Sequence, residues 1–206
     1  MQGIDFIFAI AVLVMSVVIH EVSHGFAANA MGDPTAKYAG RLTLNPAKHL
    51  DFFGSFLVPM ITYLLGGFIF GWAKPVPYNP YNLKNQKWGP GAVAIAGPIS
   101  NFLVAIVFGL IIRFGQIYAV LPASFLQIAT LIVFINIILG VFNLVPIPPL
   151  DGSKVLFAFF PYKWRHIEEF LERYGFFILL IFIFFFFRLI LPIVFSLFKL
   201  ITGIVF

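Results

Sequence analysis

The stretch IDFIFAIAVLVMSVVIHEVSHGFAANAM, residues 4–31, holds two histidines and a glutamate inside a largely apolar run. A membrane-spanning helix needs about 20 consecutive apolar residues, and this stretch is long enough to provide them. Ionisable side chains are rare inside such helices, because each one costs roughly 2.5–3.5 kcal/mol at the bilayer centre. The stretch therefore predicts a transmembrane helix whose polar cluster has a function.

The composition of the whole chain agrees with a membrane protein. The 206 residues are 61% hydrophobic and only 10% charged, which is too few charges to cover a water-facing surface. The formal charge of +5 does not require a nucleic acid partner, because Lys and Arg collect in the cytoplasmic loops of membrane proteins. No basic segment precedes the first apolar stretch, so no cleaved signal peptide is expected.

Four further apolar stretches approach membrane-spanning length, and no internal repeat is visible. They cover residues 52–71, 91–112, 124–145 and 176–205, the last with a kink expected at Pro192. The sequence therefore predicts an all-α polytopic membrane protein with four to five transmembrane helices.

The segments between these stretches differ in character. Residues 35–45 mix Thr, Tyr and Leu with Gly and predict a short β-hairpin. Residues 72–90 are rich in Pro, Asn and aromatic residues, which is typical of a loop at the membrane interface. Residues 161–174 predict an amphipathic helix lying on the membrane surface. Its apolar face holds Trp164, Ile167, Leu171 and Tyr174.

Residues 20–24 read HEVSH, which is the pattern His-Glu-x-x-His. On a helix His20 and His24 lie one turn apart and face the same way, so both imidazoles can bind one Zn²⁺. The adjacent Glu21 can accept a proton from a water held by that ion. The alternative is a polar helix end at the membrane interface, where these side chains meet water.

A metal held by two histidines needs a third protein ligand and an open position for water. Among the eight carboxylates, Asp151 lies near the end of the run NLVPIPPLDG (143–152), directly after an apolar stretch. The prolines should break the helix there and turn Asp151 inward, since irregular backbone is tolerated where it lines a polar cavity. The alternative is a Pro-rich exit turn with Asp-Gly at its tip.

Three elements in this order resemble the site-2 protease family of intramembrane metalloproteases. They are HEVSH (20–24), AGPISN (96–101) and NLVPIPPLDG (143–152), and the resemblance covers about residues 10–155. It implies a zinc endopeptidase that cuts membrane-spanning proteins within or near the bilayer. Because no internal repeat or low-complexity linker is visible, we expect a single domain over 1–206, with a catalytic core over about 4–160 and a C-terminal helix over about 175–205.

The resemblance also implies roles for single residues. One Zn²⁺ would be bound by His20, His24 and Asp151, with Glu21 as the general base. The family's Gly-x-x-x-Asn element falls on Gly97 and Asn101, and a role in positioning the substrate backbone would fall to Asn101 and Asn143. Small residues such as Gly97 are equally typical of helix packing in membranes.

Two features depart from the family pattern. The chain leaves no room for a PDZ domain, and the insertion from about Tyr38 to Gly71 is larger than in the simplest members. This insertion contains His49, which could line the substrate cleft or serve as an alternate metal ligand. A lone interfacial histidine is more often simply solvated.

Two other classes of function compete with a protease. A transporter or channel could use the His/Glu/Asp cluster for ion passage, although no inverted repeat is visible and five segments are few. A non-catalytic protein that only binds helices is the other alternative, and the intact Glu21 argues against it.

A shared metal site predicts the topology. If Asp151 meets the two histidines, the first and fourth stretches must run parallel, so an odd number of crossings separates them. Residues 52–71 are broken by Pro59 and by Gly66-Gly67, and we predict that they re-enter on one side. Ten basic residues then share one side, which the positive-inside rule makes cytoplasmic, with the N-terminus outside a prokaryotic cell membrane. They are Lys37, Arg41, Lys48, Lys74, Lys84, Lys87, Lys154, Lys163, Arg165 and Arg173.

Overall fold

The computed structural model describes residues 3–51, 53–58, 60–61, 64, 74–117 and 121–204. Within these ranges the α-helices are α1 (Gly3–Ala30), α2 (Thr35–Tyr38), α3 (Gly89–Ile117), α4 (Ala123–Asn143), α5 (Asp151–Phe159), α6 (Arg165–Ile181) and α7 (Ile190–Thr202). Short 3₁₀ turns lie at Pro46–Lys48, Pro80–Asn82 and Tyr162–Trp164.

Four helical segments of the described ranges are long and apolar enough to cross a membrane. They are Ile7–Ala30, Gly89–Gln116, Ala123–Asn143 and Tyr162–Thr202. Their outer faces expose large apolar side chains, which suits contact with lipid and would be unfavourable in water. The prediction of an all-helical membrane protein is therefore confirmed at this level.

The membrane helices pack through small residues. α1, α3 and α4 contact one another, and α7 packs against α3 and α4. A Cβ atom on Gly109 of α3 would lie 2.2 Å from Cγ2 of Ile201, so these backbones approach closely only because glycine lacks a side chain. The core between α3, α4 and α7 includes Ala105, Ile112, Ala129, Val133, Ile137, Val194 and Phe198.

Helices α1 and α4 run parallel. Ser16 on α1 accepts a hydrogen bond from Asn136 on α4 at 2.9 Å. Further along both segments, His24 on α1 faces Asp151, which follows α4. Both helices therefore advance in the same direction, as a shared site requires.

Most of the second apolar stretch, residues 52–71, lies outside the described residues. The described positions in it, 53–58, 60–61 and 64, are helical, and Phe53–Leu57 form a π-turn. That this stretch enters and leaves on the same side stays a prediction.

The β-hairpin predicted for residues 35–45 is wrong. The segment begins with α2 instead, and no strand occurs anywhere in the part of the chain that the structure describes. Asp33 favours the helical turn because its carboxylate accepts hydrogen bonds from the backbone N–H and the hydroxyl of Thr35. Gly40 follows the turn with a φ of +63°, a conformation that favours glycine. Strand propensity misled here because it depends on a partner strand to pack against.

The amphipathic segment predicted for 161–174 is helical but continuous with the last apolar stretch. α6 passes through a π-turn at Phe182–Phe186 and a 3₁₀ turn at Phe187–Leu189 into α7. Pro192 lies in the first turn of α7, where its missing N–H is tolerated, so the irregular backbone precedes the proline. The position of this segment on the membrane surface stays a prediction.

Candidate metal centre

The predicted metal ligands meet where the late part of α1 reaches the start of α5. Nε2 of His20 lies 3.0 Å and Nε2 of His24 lies 3.3 Å from the same oxygen, Oδ2 of Asp151. One ligand atom from each residue lies within 4.8 Å of the others. The two imidazoles come together because residues four apart share one face of a helix. Asp151 reaches them as the first residue of α5, after the proline-containing run has ended α4.

A buried chain of side-chain amides orients His20. Nδ1 of His20 lies 2.6 Å from Oδ1 of Asn101. Asn101 donates in turn to Oδ1 of Asn136 at 2.8 Å, and Asn136 donates to the hydroxyl of Ser16 at 2.9 Å. An amide oxygen only accepts hydrogen bonds, so the imidazole nitrogen facing it carries the proton. In the neutral ring, Nε2 of His20 is then the nitrogen that keeps its lone pair.

A backbone carbonyl orients His24 in the same way. Nδ1 of His24 lies 2.8 Å from the carbonyl oxygen of Val93 on α3. The carbonyl can only accept, so Nδ1 of this ring also carries the proton. In the neutral ring, Nε2 is therefore the nitrogen with the lone pair, and it faces Asp151.

Three electron-pair donors thus converge on one small volume. Oδ2 of Asp151 is buried without a hydrogen-bond donor, and the side chains of His20, His24 and Asp151 are only 8%, 12% and 19% exposed. Converging acceptors in a nearly dry place repel one another unless a proton or a metal ion lies between them. Two imidazole nitrogens and one carboxylate oxygen form a ligand set typical of catalytic zinc, so the residues fit Zn²⁺.

Gly97 of α3 lies directly against both imidazoles. A Cβ atom at this position would lie 2.5 Å from Cε1 of His24 and 2.6 Å from Cε1 and Nε2 of His20. Real Cβ atoms essentially never come closer than 3.0 Å to such atoms. The absence of a side chain at Gly97 therefore gives the histidines their room.

Glu21 lies between the two histidines in sequence but outside the three-residue group. Successive residues of a helix point about 100° apart, so its side chain leaves α1 in another direction. Oε2 of Glu21 accepts a hydrogen bond from the backbone N–H of Val76 at 2.8 Å. The Glu21 carboxylate is therefore held by a segment far away in sequence.

The structure brings together some predicted site residues and leaves others apart. Asn101 is buried, and its amide oxygen contacts His20 while its amide nitrogen donates to Asn136. His49 is buried in the loop after α2, and its Nε2 lies 2.8 Å from the carbonyl oxygen of Thr43. Among the described residues, His49 is not part of the metal-binding group. Asn143 donates to the carbonyl of Leu139 on its own helix.

Ser16 and Asn136 were not among the residues predicted from the sequence. Asn136 lies in the middle of an apolar membrane helix, where polar side chains commonly form hydrogen bonds to neighbouring helices. That position in the sequence could have indicated its role. Ser16 precedes His20 by four residues and so shares its face of α1.

Comparison with known proteins agrees with this centre. The chain matches the profile of Peptidase family M50 over residues 8–123 and 111–186. It is 37% identical to the candidate zinc metalloprotease YwhC of Bacillus subtilis, over 84% of this chain and 78% of YwhC. It is 33% identical to the candidate zinc metalloprotease Rip2 of Mycolicibacterium smegmatis, over 73% of this chain and 56% of Rip2. A third relative is the candidate zinc metalloprotease MJ0611 of Methanocaldococcus jannaschii, 29% identical over 77% of this chain and 73% of MJ0611.

No solved structure matches the chain significantly. The family profile covers well over half of the sequence, and its two matched segments contain all three residues of the metal-binding group. The alternatives of a transporter or a non-catalytic helix-binding protein are not favoured by these matches. The chain therefore belongs to Peptidase family M50, the site-2 protease family, and is an integral membrane zinc metalloprotease.

Proposed function

We propose that this metalloprotease hydrolyses peptide bonds of membrane-spanning proteins within or near the bilayer. The observation that carries the proposal is the convergence of His20, His24 and Asp151 in a chain whose long helices are apolar enough to cross a membrane. Ionisable groups in membrane helices are costly and are usually functional. A ligand set built into such helices is best explained by a substrate that also lies in the membrane.

The chemistry is divided between the metal and the chain. His20, His24 and Asp151 would hold Zn²⁺, which would supply Lewis-acid activation of water and of the scissile carbonyl. Glu21 accepts a proton from the attacking water as the new C–O bond forms. It returns that proton to the leaving amine nitrogen as the C–N bond breaks.

Two of the predicted site residues support the ligands in this proposal. Asn101 is buried, so we assign it to the orientation of His20 rather than to substrate contact. Gly97 leaves space for the imidazoles, and Asn143 at the end of α4 stays a candidate for binding substrate backbone. The catalytic core over about 4–160 and the C-terminal helix over about 175–205 form one domain, in keeping with the packing of α7 on α3 and α4.

The test uses the purified chain in detergent with tagged model single-pass membrane proteins. We expect cleavage that a zinc chelator stops and that added Zn²⁺ restores. Glu21→Gln should abolish cleavage with zinc content unchanged, because an amide cannot act as the base while all three ligands remain. Glu169→Gln alters an exposed glutamate on α6 and serves as the control. Near wild-type cleavage by Glu21→Gln would remove Glu21 from the role of base.

We further propose that the proteolytic centre faces the cytoplasm of a prokaryotic cell, with the N-terminus outside. The parallel course of α1 and α4 and the basic loops carry this orientation. Single cysteines at Lys48 and Lys84 should react with an impermeant reagent from the same side, since the chain has no native cysteine. Labelling from opposite sides would contradict the re-entrant course of residues 52–71.

A further inference from the structure

An extended segment, residues 74–79 (KPVPYN), runs beside α1 at the metal centre, and we refer to it as the strap. Val76 in the middle of the strap is buried. A Cβ atom on Gly25 of α1 would lie 2.9 Å from Cγ1 of Val76, so the strap packs closely on the helix just after His24. The strap therefore touches the turn of α1 that carries the proteolytic residues.

The strap contacts Glu21 through a backbone hydrogen bond. The N–H of Val76 donates to Oε2 of Glu21 at 2.8 Å. Pro75 and Pro77 flank Val76, and proline has no backbone N–H. Between Lys74 and Tyr78 the chain thus has one amide hydrogen, and Glu21 accepts it.

A buried arginine fixes the start of the strap. The guanidinium of Arg41 donates to the carbonyl oxygens of Lys74 at 2.8 Å and Pro75 at 3.2 Å, and also to that of Lys48. The N–H of Lys74 donates to the carbonyl of His49 at 2.9 Å. The insertion that departs from the family pattern therefore anchors the strap beside α1.

A buried aspartate fixes the other end. Asp33 just after α1 is fully buried, and its Oδ2 accepts the N–H of Asn79 at 2.6 Å. Its Oδ1 accepts from Asn82 at 2.9 Å and from the hydroxyl of Thr35 at 2.5 Å. Burial alone would raise the pKa of Asp33, but these hydrogen bonds outweigh it and hold the pKa below its usual value. Asp33 therefore stays charged at neutral pH and keeps the strap end in place.

Buried charges are costly unless they are well satisfied, so a buried Arg41 and a buried Asp33 need an explanation. The zinc chemistry does not provide it, because it uses neither residue. Each of them holds backbone groups of the strap, on opposite sides of Val76. We infer that the strap is a positioning element of the proteolytic centre. The Val76 N–H fixes one oxygen of the Glu21 carboxylate, and Arg41 and Asp33 keep that N–H where Glu21 needs it.

This inference rests on the proposed role of Glu21 as the base. A carboxylate with one oxygen tied to a fixed N–H cannot rotate freely, so its second oxygen is directed to the proton that it must accept. Without the N–H, the carboxylate would sample other orientations in the ground state. The expected loss is in kcat, while the KM for substrate and the zinc content stay unchanged.

Amide hydrogen exchange tests the contact without any catalysis. In the zinc-loaded chain we expect the Val76 amide to be protected, and Glu21→Ala should accelerate its exchange about 10- to 100-fold, the factor carried by a hydrogen bond to a charged acceptor. Glu21→Gln keeps a carbonyl acceptor and should retain most of the protection. The Lys74 amide, which is bonded to His49, is the internal reference and should not change. Equal exchange of Val76 in wild type and Glu21→Ala overturns the inference.

Kinetics with a tagged model single-pass substrate test the positioning role. Val76→Pro deletes the N–H, whereas Val76→Ala keeps it and measures the loss of the side chain alone. We expect kcat of Val76→Pro to lie about 10- to 100-fold below that of Val76→Ala, as for other misplaced catalytic groups. Equal kcat values in two variants with full zinc content overturn the inference.

A second pair of variants decides the matter if Val76→Pro does not fold. Asp33→Asn replaces one acceptor with a donor that faces other donors, so it should lower kcat and accelerate exchange at Val76. Thr35→Val removes only the hydroxyl bond to Asp33 and should leave the Val76 amide protected. Unchanged kcat and exchange in Asp33→Asn contradict the inference. Failure of the proposed function would give a different result, namely retained cleavage by Glu21→Gln.

Discussion

Replacing Gly97 with alanine is the smallest change that should disturb the metal centre. The added methyl group would lie 2.5 Å from Cε1 of His24 and 2.6 Å from two ring atoms of His20. Ordinary contacts of a Cβ atom begin at 3.4 Å, so the imidazoles or the backbone of α3 must move apart by about 0.9 Å. The backbone of α3 is held by α1 and α4 on both sides, which leaves the rings as the easier groups to displace.

The size of this displacement sets the expected effect. Zn–N bonds are about 2.0–2.1 Å long, and deviations beyond about 0.2 Å are poorly tolerated. We therefore expect zinc affinity to fall about 10- to 100-fold, the range typical of a disturbed ligand shell. Alanine is a better helix former than glycine by about 0.8–1 kcal/mol, so the loss should not come from weakening of α3.

The assay is a competition for Zn²⁺ between the detergent-purified protein and a chelator of known affinity. Gly109→Ala is the matched control on the same helix, because its Cβ would lie 2.2 Å from Ile201, in contact with α7 rather than with the metal ligands. We expect Gly109→Ala to bind zinc like the wild type. Wild-type zinc affinity in Gly97→Ala would refute the argument that this glycine makes room for the histidines.

Two further substitutions test the ligand set and its support. Asp151→Ala should lower zinc affinity more than Asp51→Ala, because Asp51 accepts a hydrogen bond from the N–H of Gly54 instead of facing the histidines. Equal zinc content of the two variants by metal analysis would place the third ligand elsewhere. Asn101→Leu should lower zinc affinity about 10- to 100-fold because His20 loses the acceptor for its Nδ1 proton. Asn143→Ala should keep the wild-type affinity, and equal losses in both variants would contradict a specific role for Asn101.

The group of His20, His24 and Asp151 could be predicted from the sequence because its signals are local. The spacing of His20 and His24 determines that they share a helix face, and the prolines before Asp151 mark the end of a membrane helix. If these residues share one metal, α1 and α4 must run parallel, and no local sequence pattern encodes that course. The structure has that course.

Other features were beyond sequence reasoning because they depend on contacts between distant segments. Nothing in the Pro-Val-Pro sequence says that the amide of Val76 meets Glu21, because that contact depends on how Arg41 and Asp33 hold the strap. The hairpin error has the same origin. Residues 35–45 have the composition of a strand, but Asp33 offers Thr35 hydrogen bonds that a helical turn satisfies locally.

The division of the metal ligands between α1 and the start of α5 has a consequence for biosynthesis. A chain inserted into the membrane helix by helix carries His20 and His24 into the bilayer well before Asp151 has been translated. Until α4 is inserted and packed, the imidazoles lack both the third ligand and the amide of Asn136 that holds Asn101. The group of His20, His24 and Asp151 is therefore complete only when α5 has followed α4, so a chain that ends before residue 151 lacks one of its three members.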